Sequence, residues 1–418
     1  MTVIKLLEKV ENALEKDLCD HCLGRLFAQL GTGITNAERG KSLRISYAMF
    51  TSEEQRKEVP EEPENCELCS DLFNEVEKFA DLAAGDLQEY EFRDFLIGSR
   101  IDPEIEENEE KIWTELNLTT GEPIKSEVNR EVGKLVQEMI EKEVNLETPD
   151  IKAIIDTRFD SVDIEISPLF IYGRYKKLSR EIPQTKWTCK RCRGKGCDKC
   201  GGTGKMYETS VEEIIGGPLV EMTSGKDFTL HGMGREDIDA KMLGDGRPFV
   251  IEIKEPIERK IDLKKFERMV NESEMVQIHS LEFTEKEKVV ELKQARAIKT
   301  YRVDISLKEA IEGARFKKVK YELVGQEISQ RTPRRVDHRR ADKIRKRKIR
   351  DLKLISMEST SMTLDITCDA GTYVKEFVHG DEGRTQPNLA EMFETKCEVD
   401  KLDVMKIHYP EGEKDEKI

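Results

Sequence analysis

The residues whose spacing most clearly allows chemistry are cysteines, because eight of the ten fall in four Cys-x-x-Cys pairs. Two pairs share one short segment, CKRCRGKGCDKC, whose glycines let the backbone turn tightly around an ion. Free buried thiols or a redox pair are the alternatives, but no thioredoxin-like βαβ pattern surrounds them. The other two pairs, Cys19/Cys22 and Cys66/Cys69, lie far apart in the sequence. They form a second set of four metal ligands unless the two pairs are unrelated. We therefore expect about two structural zinc ions per chain. The ligands would be Cys19, Cys22, Cys66 and Cys69 in one site, and Cys189, Cys192, Cys197 and Cys200 in the other.

Other common catalytic groups are missing from the sequence. Gly204-Lys205 is followed by Met206 instead of Ser or Thr, so the Walker spacing fails, and no G-x-G-x-x-G follows a predicted strand. The six histidines are scattered, and nothing resembles a nucleophilic Ser or Cys site. We therefore expect no organic cofactor.

A carboxylate is the remaining candidate. Asp237 lies in HGMGREDIDAKMLGDGRPFVIEI, where a polar, glycine-bearing stretch leads into a predicted strand over Pro248–Ile253. A carboxylate at the entrance to a strand, beside Gly234 and Arg235, would be held rigidly and exposed to a cleft. Alone this is weak evidence, because with 85 acidic residues a given Asp is more often a solvated surface group.

The charge of the chain is unevenly distributed. The 418 residues carry a net charge of −15, which at first argues against a nucleic-acid partner. Residues 51–150 contribute about −20, whereas residues 331–350 contribute about +9. Because screening limits surface electrostatics to about 10 Å, the local fields decide what binds. An acidic chain with one concentrated basic segment is therefore compatible with RNA.

Hydrophobic periodicity predicts the elements that would position these residues. Residues 124–144 predict an amphipathic helix, and 151–155 and 162–166 predict strands. Beyond a composition break at Pro183, strands are predicted at 249–253, 301–307, 318–323 and 361–368. The basic run 331–350 interrupts this strand-rich half, so we expect a long excursion between two strands. No apolar run reaches the length of a membrane span, and the N-terminus lacks a secretion signal, so we expect a cytoplasmic protein.

Several long phrases resemble one known family. Arg235-Glu-Asp237 is similar to the Arg-x-Asp motif of pseudouridine synthases. The phrases GREDIDAKMLGDGRPF, SQRTPRRVDHRRAD and AGTYVKEFVHGDEGRTQPNL resemble the archaeal and eukaryotic synthases of T-loop uridines 54 and 55 in tRNA, and PLFIYGRYKKLSREIPQTKWTCKRCRGKGC resembles their archaeal branch. The resemblance extends from Cys19 to about residue 410. It implies an α+β catalytic domain with a central, mostly antiparallel sheet and an active site in its cleft.

The same resemblance implies roles for individual residues. Asp237 would be the catalytic carboxylate, Tyr301 would stack on the flipped uracil or act as a base, and Lys375 would pair with Asp237. Arg235 would help to extrude the base or hold its phosphate, against the alternative of a structural salt bridge. Further substrate contacts are expected from Tyr373 and from the basic segment, namely Arg331, Arg335, Arg339 and Arg340.

Residues 72–183 more loosely resemble a THUMP domain, an RNA-binding module that implies contact with the acceptor end of tRNA. We therefore predict an N-terminal helical zinc-binding region (1–71), a THUMP-like domain (72–185), a zinc knuckle (186–206) and a catalytic domain (207–418). The expected partner is tRNA, bound through its T-loop and acceptor end, with no membrane and no obligate protein partner indicated. Alternatives are another THUMP-associated enzyme, which would need a glycine-rich cofactor loop, and a zinc-bearing chaperone or adaptor.

Overall fold

The structure is a computed structural model that describes residues 3–50 and 58–409, apart from the side chains of residues 3–5 and 339. The chain divides into two compact units. The first runs to Ser167 and includes Ile257–Arg259, and the second comprises Pro168–Pro256 and the chain from Lys260 onward. None of the helices in the described part is long and apolar enough to span a membrane.

The first unit combines helices and a small sheet around one hydrophobic core. Its elements are α1 (Val3–Leu14), α2 (Asp20–Leu26), α3 (Asn36–Phe50), α4 (Val76–Leu87), β1 (Asp94–Arg100), α5 (Pro103–Glu115), α6 (Ile124–Ile140), β2 (Glu143–Val144), β3 (Ile151–Asp156) and β4 (Ser161–Ile166). The strands lie in the order β2-β1-β3-β4, and only β3 and β4 pair antiparallel.

Helix α6 shows how the sequence pattern builds this core. Val128, Val132 and Val136 recur every four residues and are fully buried, as an amphipathic helix requires. The predicted helix is confirmed, but it ends at Ile140 because Glu141 takes a left-handed conformation and the chain turns into β2.

The second unit is built on one large sheet. Its elements are β5 (Leu169–Lys177), α7 (Val211–Thr223), β6 (Asp227–Gly232), β7 (Lys241–Lys254), α8 (Leu263–Asn271), β8 (Val276–Thr284), α9 (Lys286–Gln294), β9 (Ile298–Leu307), α10 (Gly313–Leu323), β10 (Glu327–Arg331), β11 (Ile344–Met357), β12 (Ser361–Cys368), α11 (Val374–His379), β13 (Thr385–Gln386), α12 (Leu389–Phe393) and β14 (Cys397–His408).

The strands of this sheet follow the order β13-β10-β11-β12-β9-β14-β7-β5-β8, with β6 paired to β7. Every described pair is antiparallel except β14 with β7. In β12, Met362, Leu364, Ile366 and Cys368 are buried, because alternate side chains of a strand face the same side. The predicted α+β class with a mostly antiparallel sheet is confirmed.

Three local features differ from the sequence prediction. Residues 318–323 form the end of α10, because Phe316, Val319 and Leu323 share a buried helical face despite their strand-like neighbours. The basic run is a hairpin, since its second half belongs to β11 and pairs with β10. Residues 169–177, assigned above to the THUMP-like region, form β5 in the large sheet, because they pair with β7 and β8.

Candidate active site

The segment that carries Asp237 is the connection between β6 and β7, here called the aspartate loop (residues 233–240). The Met233 N–H donates to Pro248 O, and the Ala240 N–H donates to Asp237 O, which closes a turn around the carboxylate. Gly234 has φ +80°, a conformation that side-chain-bearing residues rarely adopt. Glu236 is buried, whereas the side chain of Asp237 is 44% exposed. The loop therefore presents one carboxylate and buries the other.

The buried Glu236 carboxylate anchors the loop to the sheet. It accepts hydrogen bonds from Arg247 Nε at 2.8 Å and from the Tyr175 hydroxyl at 2.9 Å. Arg247 also donates to Met233 O at 2.6 Å, and Glu236 and Arg247 are both almost completely buried. Because every charge has a partner, this buried pair can hold the loop in one conformation.

Two side chains fix the backbone of the aspartate loop. Lys177 Nζ donates to the carbonyls of Asp237 at 3.2 Å and Ile238 at 2.7 Å. Burial lowers the pKa of Lys177 to about 8, since removal from water disfavours the ammonium. Gln184 Nε2 donates to Gly234 O at 3.0 Å. The position of Asp237 is therefore set by groups behind it.

Two cations from distant segments reach the Asp237 carboxylate. Arg335 Nη1 lies 3.1 Å from Asp237 Oδ2, and Lys375 Nζ lies 3.8 Å from the same oxygen. Lys375 is closer to Asp239, at 2.8 Å. Burial acts to raise the pKa of the Asp239 carboxyl, but the hydrogen bond and charge of Lys375 outweigh it and lower that pKa. The structure thus brings Lys375 to both carboxylates, with Arg335 as the nearer partner of Asp237.

Arg335 is itself held in place. Its Nε donates to Glu376 Oε1 at 2.7 Å, and the Glu376 side chain is buried in α11. The backbone of Tyr373, just before α11, exchanges two hydrogen bonds with the Gln330 side chain, both 2.9 Å long. These hydrogen bonds hold the segment from Gln330 to Arg335 against the start of α11, next to Asp237.

Asp237 opens onto a cavity of about 1150 Å³ within the second unit. Tyr301, from β9, forms part of its wall, and burial raises the pKa of its phenol, which favours the neutral hydroxyl. Arg235 stacks over the ring of Trp187, with its guanidinium carbon 5.2 Å from the ring centre. The volume and the aromatic wall would accommodate a nucleoside.

Most of the predicted substrate contacts meet at this cavity. Arg235, Tyr301, Arg335, Arg340 and Tyr373 all line it. Arg331 is not among the described lining residues and instead forms an ion pair with Asp342. The backbone of Arg339 lies in the 3₁₀ helix Arg334–Arg339, and its side chain lies outside the described part of the structure.

Sequence reasoning missed the groups that support the site. Tyr175, Lys177 and Gln184 give no local signal, because their partners in the aspartate loop lie 50 to 61 residues away in the chain. Glu236 and Arg247 are 11 residues apart, and no short motif links them. The one hint is that Glu236 and Asp237 are adjacent, since neighbouring side chains of an extended segment point to opposite sides.

The two cysteine sets each gather into a cluster. In each set the four sulfurs lie within 4.8 Å of one another. The Cys19–Cys69 separation is 3.8 Å, and the Cys197–Cys200 separation is 3.7 Å. A tetrahedron with Zn–S bonds of about 2.3 Å places sulfurs about 3.8 Å apart, so both clusters fit a four-thiolate metal site. Cys368 and Cys397 are buried singly in the core.

The chain is similar to known proteins over almost its whole length. Residues 170–408 match the family profile described as Pus10, C-terminal, and residues 79–156 match the profile of the archaeal Pus10 THUMP domain. A relative named tRNA pseudouridine synthase Pus10 from Methanothrix thermoacetophila is 40% identical, covering 93% of this chain and 91% of the relative. Relatives of the same name from Methanopyrus kandleri (39% identical, covering 96% and 98%) and Methanocaldococcus jannaschii (41%, covering 94% and 92%) are similar over the same extent.

Fold, site and relatives together define the class: an isomerase, specifically a tRNA pseudouridine synthase with a THUMP domain. The chain belongs to the Pus10 family. The match over nearly the whole chain sets aside the two alternatives, a different THUMP-associated enzyme and a zinc-bearing chaperone.

Proposed function

We propose that this chain isomerises uridine 54, uridine 55, or both, in the T-loop of tRNA, with Asp237 as the catalytic carboxylate. The observation that carries the proposal is the placement of Asp237: a half-exposed carboxylate on an anchored loop, at a cavity large enough for a nucleoside, with Arg335 and Lys375 beside it. The reaction breaks the N1–C1′ bond, turns the base and rejoins it through C5. It therefore needs a carboxylate at C1′ and no redox cofactor.

The surrounding groups have distinct roles in this proposal. Arg335 and Lys375 orient the Asp237 carboxylate, because both cations lie within ion-pair distance of its Oδ2 atom. Tyr301 stacks on the extruded uracil. Its raised pKa supports stacking over a phenolate base, because little phenolate would exist at neutral pH.

Asp239 is the rival carboxylate, since it also lines the cavity and contacts Lys375. Its side chain is 68% exposed, and Lys375 is its one described ion-pair partner. Asp237 contacts two cations, one of which is locked by the buried Glu376. A nucleophile must be held in a fixed position, so these contacts favour Asp237.

The tRNA is proposed to bind along the basic hairpin. Arg340, Arg345 and Arg347 line the cavity, and Arg331 and Arg339 continue the same segment. Clustered guanidinium groups suit phosphate contacts. The THUMP domain would hold the acceptor end, and both cysteine clusters would hold structural zinc, since four protein ligands leave no open position for chemistry.

The test uses unmodified tRNA transcripts incubated with protein alone, followed by carbodiimide-stop mapping of pseudouridine. Wild-type protein should modify position 54, 55 or both, and replacing each uridine by cytidine should abolish only its own stop. Asp237→Asn should lose all detectable activity while tRNA affinity and Tm change little, whereas Asp239→Asn should stay largely active. Turnover by Asp237→Asn, or pseudouridine outside the T-loop alone, would contradict the proposal.

A further inference from the structure

Lys299 lines the active-site cavity, and none of the roles proposed for the other lining residues involves it. It lies two residues before Tyr301 on β9, so the two side chains share one face of the strand. Its ammonium lies directly beside the aspartate loop: a β-carbon built on Gly234 would stand 2.7 Å from Lys299 Nζ. The absence of a side chain at Gly234 therefore makes room for this cation next to Asp237.

The surroundings of Lys299 contain little to balance its charge. Arg247 faces it from β7, Glu236 from the aspartate loop and Cys368 from β12, while β14 contributes the apolar Ile407 in register. Burial and the Arg247 guanidinium lower the pKa of Lys299 to about 8, against the smaller opposing effects of Cys368 and Glu236. Among the residues described, no carboxylate comes within ion-pair distance of its ammonium.

A largely buried cation without an ion-pair partner weakens a fold, and an apolar side chain of the same length would pack there at less cost. The fold therefore gives no reason for a lysine at this position. The reason must lie in what fills the cavity, and the ammonium points to a group that becomes negative there during the reaction.

We propose that Lys299 is a further catalytic residue, which stabilises the uracil anion released from C1′. The inference rests on the proposed function. When the N1–C1′ bond breaks, its electron pair stays with uracil, whose negative charge spreads over N1 and the two carbonyl oxygens. The Asp237 carboxylate either forms a bond to C1′ or stabilises the positive charge that develops there.

The remaining steps balance without consuming Lys299. After the base turns, C5 donates an electron pair to C1′ and the Asp237 carboxylate is released. The proton on C5 then leaves and N1 gains one, so the product is an isomer of the substrate. Lys299 keeps its protons throughout and lowers the barrier by its field, which is strong in a cavity shielded from water.

The test compares Lys299→Met and Lys299→Arg under single-turnover conditions on a T-loop substrate, with the exposed Lys308→Met as a matched control. Lys299→Met should slow the first-order rate roughly 100- to 1000-fold, the range for removal of one stabilising donor, with tRNA Kd within about twofold of wild type. Its Tm should be equal or higher, because the buried charge is gone. Lys308→Met should match wild type in rate, Kd and Tm.

The pH profile separates a cation from a base. A cation whose pKa is lowered is charged below about pH 8 and neutral above it, so the wild-type rate should fall as pH rises through about 8. Lys299→Arg should keep part of the rate and lose this basic limb, because a guanidinium stays charged. A wild-type rate that rises through pH 8 would make Lys299 a base and overturn the proposal.

The failures of the two proposals can be told apart. Wild-type protein that forms no T-loop pseudouridine would overturn the proposed function, and the role of Lys299 with it. Wild-type turnover together with Lys299→Met activity within about threefold would overturn the role of Lys299 alone. If Lys299→Met does not fold, the Lys299→Arg profile decides, because an unchanged basic limb in that variant contradicts the proposal.

Discussion

Replacing Glu236 by Gln tests whether the buried pair beneath Asp237 holds the active site together. The change keeps the shape of the side chain but removes its charge. Arg247 would remain 1% exposed, with its guanidinium facing a neutral amide. The amide nitrogen, which replaces one carboxylate oxygen, could no longer accept a hydrogen bond. The Tyr175 hydroxyl would keep at most one good acceptor.

The expected cost follows from burial. Removing one partner of a buried ion pair typically costs about 3–5 kcal/mol, because the other charge is left uncompensated. For a unit of this size each kcal/mol shifts Tm by roughly 2–4 °C, which gives a fall of roughly 6–20 °C. The matched control is Glu398→Gln, which breaks the exposed Lys396–Glu398 pair with side chains 70% and 64% exposed. An exposed pair contributes about 0–1 kcal/mol, so that variant should melt close to wild type.

Calorimetry of the full chain measures the Tm of each variant. Separate transitions can be followed when two compact units unfold independently. Single-turnover rates well below the new Tm should also fall, since the aspartate loop loses its anchor, while tRNA affinity should change less. A Glu236→Gln variant that melts within about 2 °C of Glu398→Gln would refute the reasoning. A lower Tm with an unchanged rate would show that the pair stabilises the fold without positioning Asp237.

Elemental analysis should find about two zinc ions per chain, and Cys197→Ser should lower metal content and stability without slowing turnover of the folded fraction. Metal content near zero in folded protein would contradict this. Neutralising Arg340, Arg345 and Arg347 should weaken tRNA binding and reduce the log–log salt slope by about 1 for each phosphate that the protein no longer neutralises. An unchanged slope would mean that these side chains are merely solvated.

The sequence predicts those features of the fold whose signal is local or repeated. The Cys-x-x-Cys pairs and the valine stripe of α6 each specify their own structure. Residues 318–323 were predicted wrongly, because Val319, Tyr321 and Leu323 alternate as in a strand, and only Phe316 and Val319 together reveal the helical face. The boundary at β5 was missed for a different reason: a strand's sheet is decided by its partners, here β7 and β8.

The sequence predicted which residues would line the site, but it did not predict how their side chains pair with one another. Asp237, Tyr301 and Lys375 were expected to meet, and the structure places all three on one cavity. Lys375 lies beside Asp237 as expected, but Asp239 competes for Lys375, and Arg335 is the nearer partner of Asp237. Such competition depends on distances of about an ångström between segments a hundred residues apart, which no sequence pattern specifies.

The charge of the chain and the charge of the site have opposite signs, and this has a consequence for binding. The chain carries −15 overall, yet among the residues that the structure describes, eight basic and three acidic ones line the cavity. Because screening ends interactions between exposed charges beyond about 8–10 Å, a polyanion near the cavity would feel mainly these basic residues. Elsewhere the acidic surface would repel it. The net charge therefore does not oppose RNA binding; it restricts where an RNA can bind, and it favours approaches that bring phosphates to the basic hairpin and a uridine to Asp237.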